Sequence, residues 1–92
     1  MTQLNVTIRG EVQGVQYRSF VKSIADGMGI SGTVQNMHDG SVDVVAQGEK
    51  DILTVFLQHL RTGPANSHVA SASEEFSETE EELFGFHILE RS

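Results

Sequence analysis

A chain of 92 residues is long enough to bury one modest core, and it reads as a single domain over residues 1–92. It contains no cysteine, which excludes disulfides and thiolate metal sites. The net charge is −7, but six of the thirteen acids (Glu74, Glu75, Glu78, Glu80, Glu81, Glu82) crowd into residues 74–82; without them the balance is −1, which leaves no basic face to follow a nucleic acid backbone.

The start, Met1-Thr2-Gln3-Leu4, is neither basic nor followed by a long apolar run. That argues against a signal peptide or membrane span and for a cytoplasmic protein. Leu4, Val6 and Ile8 alternate with Asn5, Thr7 and Arg9, as in a strand with one buried face. Next comes Gly10-Glu11-Val12-Gln13-Gly14-Val15-Gln16-Tyr17-Arg18, in which Gly10 and Gly14 free the backbone to bend. Phe20, Val21, Ile24, Ala25 and Met28 then fall on one helical stripe, with Gly29 placed to end it. Thr33 to Met37 and Ser41 to Ala46 read as strands around the hairpin signal His38-Asp39-Gly40.

A second helix carries Ile52, Val55, Phe56 and Leu60 on its stripe and stops before Gly63-Pro64. His68 to Ser73 is a strand by position more than by composition, and residues 74–82 read as a solvated acidic loop. Phe84, Phe86 and Ile88 alternate again and are expected to close the sheet. These elements predict an α+β fold, a ferredoxin-like βαββαβ sandwich. Its antiparallel sheet would have four to five strands, with both helices on one face.

A bent loop, free amides at a helix N-terminus and the Arg18 guanidinium together make a phosphate-sized anion site. The same stretch can be a plain turn, and Arg18 a solvated charge. A cation is nevertheless misplaced at the positive end of a helix dipole unless an anion meets both. Asn36, just before the tight turn, is either a turn former or an amide able to accept from a water while donating to a phosphate oxygen. Ser19 reads as a helix-terminus residue and Asp39 as a turn former. His38, His59, His68 and His87 are dispersed without ligand spacing, so no metal site and no cofactor are expected.

The stretch Gly10-x-Val12-Gln13-Gly14-Val15-x-Tyr17-Arg18 resembles the signature loop of the acylphosphatase family, G-x-V-Q-G-V-x-F/Y-R. Gly32-Thr33-Val34-Gln35-Asn36-Met37-His38-Asp39-Gly40-Ser41-Val42 is similar to that family's G-x-V-x-N-x-x-D-G-x-V segment. Gln47-Gly48, Gly63-Pro64 and Phe84-Gly85-Phe86-x-Ile88 are weaker echoes, so the resemblance covers nearly the whole chain. It implies the same fold and a cofactor-free hydrolysis of small acyl phosphates to carboxylate and orthophosphate, the latter also an inhibitor.

By the same resemblance, Arg18 is the catalytic arginine and the amides of Gln13, Gly14, Val15, Gln16, Tyr17 and Arg18 are the phosphate cradle. Asn36 orients the attacking water. A monomer is expected, with neither nucleic acid nor membrane as partner. Gln16 fills a position that is often glycine, Tyr17 replaces a frequent phenylalanine, and Thr33 stands where an aromatic is common. Met37 sits beside Asn36 where hydroxyl or other apolar residues also occur.

The substrate class suits a site without a base. The leaving carboxylate has a conjugate-acid pKa of about 4 and departs without a general acid. Two rival readings stand beside this one. A non-catalytic anion-binding module of the same fold is opposed by the free-standing length. An RNA-binding ferredoxin-like domain is opposed by the acidic balance and the lack of exposed aromatics with basic neighbours.

Overall fold

The computed structural model describes residues 1–14 and 16–90. The elements follow the order β1 (Thr2–Glu11), α1 (Tyr17–Met28), β2 (Ser31–Asn36), β3 (Val42–Gln47), α2 (Lys50–Thr62), β4 (His68–Glu78) and β5 (Phe86–Leu89). One five-stranded sheet has the order β4-β1-β3-β2-β5. Leu4, Val6 and Ile8 of β1, Val34 of β2, and Val42, Val44 and Ala46 of β3 are buried in the core. There they meet α1, which packs over β2 and β5, and α2, which packs over β1 and β4. No helix among the described residues is long and apolar enough to cross a membrane.

The sheet is mixed where an antiparallel one is expected. β1 pairs antiparallel with β3 and β4, and β2 with β3, but β5 runs parallel to β2. Topology explains the difference. The chain leaves β4 at one edge and must reach the other edge, across four inter-strand spacings or about 19 Å. Residues 79–85 make that crossing along one end of the sheet, since seven extended residues reach about 23 Å. A strand starting from that end runs opposite to β4, which is the direction of β1 and β2. The buried side chain of Gln47 holds the crossing at its middle: Nε2 donates to the Glu81 carbonyl (2.8 Å) and to Gln3 Oε1 (2.9 Å), while Oε1 accepts from Leu83 N–H (2.8 Å).

Three sequence expectations shift. β4 does not stop at Ser73 but pairs with β1 as far as Glu78, so half of the acidic segment is strand rather than loop. Phe76 supplies the reason, packing against the core with the Lys50 ammonium 5.1 Å from its ring centroid. The acids beside it face solvent on an edge strand, where like charge discourages pairing with another chain. In α2 the buried stripe is Leu53, Phe56, Leu57 and Leu60, leaving Ile52 and Val55 exposed. Apolar residues cover a wide arc of this helix, and the arc spaced i, i+3, i+4, i+7 takes the sheet. Phe84 lies outside β5 and is 75% exposed, because the chain turns at Gly85 (φ +72°) before pairing begins.

Tyr17, the first residue of α1, is fully buried, and its hydroxyl donates to the Leu60 carbonyl at 2.7 Å. Burial raises its phenol pKa well above the ordinary range. Leu60 lies in the last turn of α2, and the residue four positions on is Pro64, which has no N–H to offer. The Tyr17 hydroxyl therefore fills a role that the helix cannot. Tyr17→Phe should cost about 1–2 kcal/mol. The thermal midpoint should fall by about 4–8 °C for each kcal/mol lost. An unchanged melting curve would mean that the Leu60 carbonyl has found another donor.

Candidate active site

The cleft forms where β1 gives way to α1, beside the end of β2. A register shift between Arg9 and Gly10 interrupts the pairing of β1 with β4, which continues through Gly10 with Val69 and Glu11 with His68. Gly10 takes φ +133°, and a Cβ there would stand 2.1 Å from the His68 carbonyl oxygen of β4. Only glycine allows that approach. The loop then passes through Gly14 (φ +76°) and Gln16, which takes a left-handed φ of +61° without being glycine. Such a conformation costs about 1–2 kcal/mol for an L residue.

Gln16 is the N-cap of α1 but makes no side-chain cap bond. Among the described residues the first bond into the helix runs from Phe20 N–H to the Gln16 carbonyl (3.1 Å), and the amides of Tyr17, Arg18 and Ser19 have no helical acceptor there. No acid lies in that first turn. Arg18 adds a guanidinium, one of whose N–H groups donates to the Leu89 carbonyl of β5 (3.0 Å), and no carboxylate among the described residues pairs with it. Helix amides, dipole and guanidinium leave a positive pole without an anion.

A cleft of about 300 Å³ opens over this pole, lined by Val12, Gly14, Gln16, Tyr17, Arg18, Ser19, Asn36 and Ile88. Asn36, the last residue of β2, is 8% exposed, and its Oδ1 is buried without a hydrogen-bond donor. Asn36 thus lines the same cleft as the positive pole, and its Oδ1 is a buried oxygen without a donor. Of the residues singled out in the sequence, Gly14, Gln16, Tyr17, Arg18 and Asn36 line this one cleft. Gln13 is not in the wall: its carboxamide turns to the β2–β3 hairpin, and Val15 lies outside the described residues. Ile88 and the Leu89 carbonyl were not anticipated as neighbours of Arg18. The only signal for Ile88 is its apolar alternation, and a backbone carbonyl has none. No cluster of three or more metal-ligating side chains exists among the described residues.

The hairpin that carries Asn36 is closed by Asp39. Its Oδ1 accepts from Ser41 N–H (2.9 Å) and Ser41 Oγ (2.6 Å), and its Oδ2 meets Arg9 Nη1 at 3.2 Å. The Ser41 bonds, with help from Arg9, hold the Asp39 carboxyl down at about 2, below its ordinary 3.8. The folded pKa lies below the unfolded one, so this contribution to stability is complete above the ordinary value and is lost as pH falls through about 2. The thermal midpoint should therefore drop between pH 4 and pH 2, and drop less in Asp39→Asn. Equal drops would show that other carboxylates carry the acid sensitivity.

A profile of the acylphosphatase family matches residues 4–88. An acylphosphatase of Thermus thermophilus is 42% identical over 88 residues, covering 96% of this chain and 99% of the relative. One from Deinococcus radiodurans is 41% identical over 86 residues, covering 94% and 98%. The crystal structure of acylphosphatase from Bacillus subtilis superposes with a TM-score of 0.94 at 34% identity, over 97% of this chain and 99% of that one. A sheet of this topology, this glycine loop and matches that span both chains end to end lead to one conclusion: the chain belongs to the acylphosphatase family.

Proposed function

We propose that the chain hydrolyses small acyl phosphates at this cleft. The amides from Gln13 to Arg18 and the Arg18 guanidinium hold the phosphoryl group, and Asn36 holds the attacking water. The observation that carries the reading is the buried Asn36 Oδ1, which has no donor and belongs to a residue lining the same cleft as the uncapped helix end and Arg18. A carbonyl oxygen repels a phosphate oxygen, so it adds nothing to a mere anion-binding module. It accepts well from a water. That asymmetry favours hydrolysis over binding alone.

In the ground state the phosphoryl oxygens meet donors already in place, and no reorganisation is needed as charge moves during the reaction. Arg18 contacts them through paired N–H groups, its direction braced by the Leu89 carbonyl. Asn36 Oδ1 accepts one hydrogen of the water and points a lone pair of its oxygen at phosphorus. Asparagine is not a base at neutral pH. With a loose transition state, the water needs little deprotonation before attack. The carboxylate leaves as an anion, and orthophosphate remains on the same donors. We also read residues 1–92 as one domain of this family and the chain as a cytoplasmic monomer.

Arg18→Ala should lower kcat by about 10³-fold and also weaken phosphate binding. Arg18→Lys should not rescue it, because an ammonium cannot reproduce the planar pair of donors. Asn36→Ala should cut kcat by about 10²-fold while the inhibition constant of orthophosphate stays within about three-fold of the parent. Both variants should first show a cooperative melt. Full kcat in folded Asn36→Ala, or full rate and phosphate affinity in folded Arg18→Ala, would remove that residue from the mechanism. Turnover should also persist in excess chelator, since the chain has no thiolate and, among the described residues, no side-chain cluster that offers a metal its ligands. Loss of activity on chelation, restored by one metal, would require a different mechanism.

A further inference from the structure

We infer that the Gln13 side chain is a positioning residue for the Asn36-bound water, an inference that rests on the hydrolytic reading above. Gln13 Nε2 donates to the Met37 carbonyl at 2.9 Å and to the Ser41 carbonyl at 2.8 Å. These two carbonyls form the neck of the β2–β3 hairpin. Each already accepts one backbone N–H, Met37 from Gly40 (3.1 Å) and Ser41 from Met37 (2.9 Å). One half-buried carboxamide thus takes the second lone pair on both strands of the neck and fastens it to the loop between β1 and α1.

Asn36 stands immediately before that neck and pairs with Val42, immediately after it. Its own Oδ1 has no donor, so no bond to that oxygen fixes the side chain from the protein side. The direction of the amide is then inherited from the backbone. Neighbouring side chains give little help: Met37 carries no hydroxyl, and the Ser41 hydroxyl is spent on Asp39. Arg9 braces Asp39 from β1, outside the cleft. Among the described residues, no side chain of the loop other than Gln13 reaches the hairpin with a hydrogen bond.

The phosphoryl group is held by the loop and the water by the hairpin. The distance between them is therefore set across the Gln13 clamp. A misplacement on the order of 1 Å in such an arrangement can cost about 10²-fold in rate. The clamp does not face the phosphoryl group, so its loss should separate rate from affinity.

The test compares Gln13→Leu, which keeps the bulk and removes both donors, with Gln13→Asn, which keeps the carboxamide but is one methylene too short to span both carbonyls. Each is measured alone and combined with Asn36→Ala, for kcat on a simple acyl phosphate and for inhibition by orthophosphate. Both neck carbonyls keep their backbone donors, so the variants should melt cooperatively, and Gln13→Asn serves if Gln13→Leu does not fold. The expected result is a kcat lower by about 10-fold with the orthophosphate constant within about three-fold. In the Asn36→Ala background the same change should cost less than about two-fold, because the residue being positioned is gone. Equal losses in both backgrounds, a parallel loss of phosphate affinity, or an unchanged kcat would each overturn the inference.

A second readout does not depend on turnover. In the parent, NMR should show slow exchange of the Met37 amide and one sharp pair of Asn36 side-chain NH₂ resonances. In Gln13→Leu the exchange should quicken and the pair should shift or broaden, while resonances of the α2 amides stay in place. A folded parent that turns over no acyl phosphate would defeat the hydrolytic reading. The clamp would then stand or fall on the Asn36 resonances alone, and unmoved resonances would overturn it.

Discussion

The positive pole at the start of α1 is the constraint around which the molecule is arranged. Three amides without helical acceptors, an arginine in the same turn and no acid beside them concentrate like charge in one place. Left alone, such an end is unfavourable, and most helices relieve it with a capping side chain or an acid in the first turn. Here Gln16 occupies the N-cap in a left-handed conformation and caps nothing. The fold tolerates the arrangement because Tyr17, the next residue, is anchored in the core by its ring and by its bond to Leu60. The anchoring of the helix start and its electrostatic discomfort come from adjacent residues, which is how a fold can hold a site open for an anion.

β5 extends that logic. It is short, lies on an edge and among the described residues pairs only with β2, yet side chains from two elements bind carbonyls of the strand and of the residue after it: Arg18 at Leu89, Lys22 at Phe86 (2.8 Å) and Gln35 at Glu90 (2.7 Å). A cationic face of α1 thus lies along the strand. Arg18 therefore has a fixed direction without a carboxylate partner, since a neutral carbonyl orients the guanidinium and leaves its charge intact. A carboxylate in that place would orient it equally well and offset the charge the site depends on.

Much of this was legible in the chain itself, and the failures have physical causes. Alternation placed β1, and the i, i+3, i+4 stripe placed α1, because in each case the buried set is the only apolar one available. In α2 two overlapping sets compete, Ile52 with Val55 and Leu53 with Leu57, and only the packed sheet decides between them. The second half of β4 is mostly glutamate, a composition that reads as loop. An edge strand needs only one inward residue at intervals, and Phe76 suffices. The loop glycines and Arg18 stand out by residue type. The Gln13 clamp does not, because its acceptors are backbone carbonyls distant in sequence. The Tyr17 hydroxyl had a readable signal that passed as a conservative exchange: four residues after Leu60 comes a proline, so a carbonyl there lacks its usual donor.

A chain with a net charge of −7 that offers a cleft to anions needs its acidic cluster elsewhere, and the topology puts it there. The cleft lies at the end of the sheet where β1 finishes and β2 finishes. The acidic cluster occupies the second half of β4 and the crossing that follows, beside the start of β1: Glu78 pairs with Thr2, whereas Val69 pairs with Gly10. From Gly10 a strand covers about 13 Å to Val6, the partner of Glu74, and about 26 Å to Thr2, the partner of Glu78. That is between about one and a half and three Debye lengths at physiological ionic strength. Part of the cluster is also neutralised locally, Glu74 by Arg61 and Glu78 by the N-terminal amine (3.2 Å). The field at the cleft is then governed by Arg18 and the helix end rather than by the net charge. Acidic overall balance and anion recognition coexist because the sheet is longer than the range over which its charges are felt.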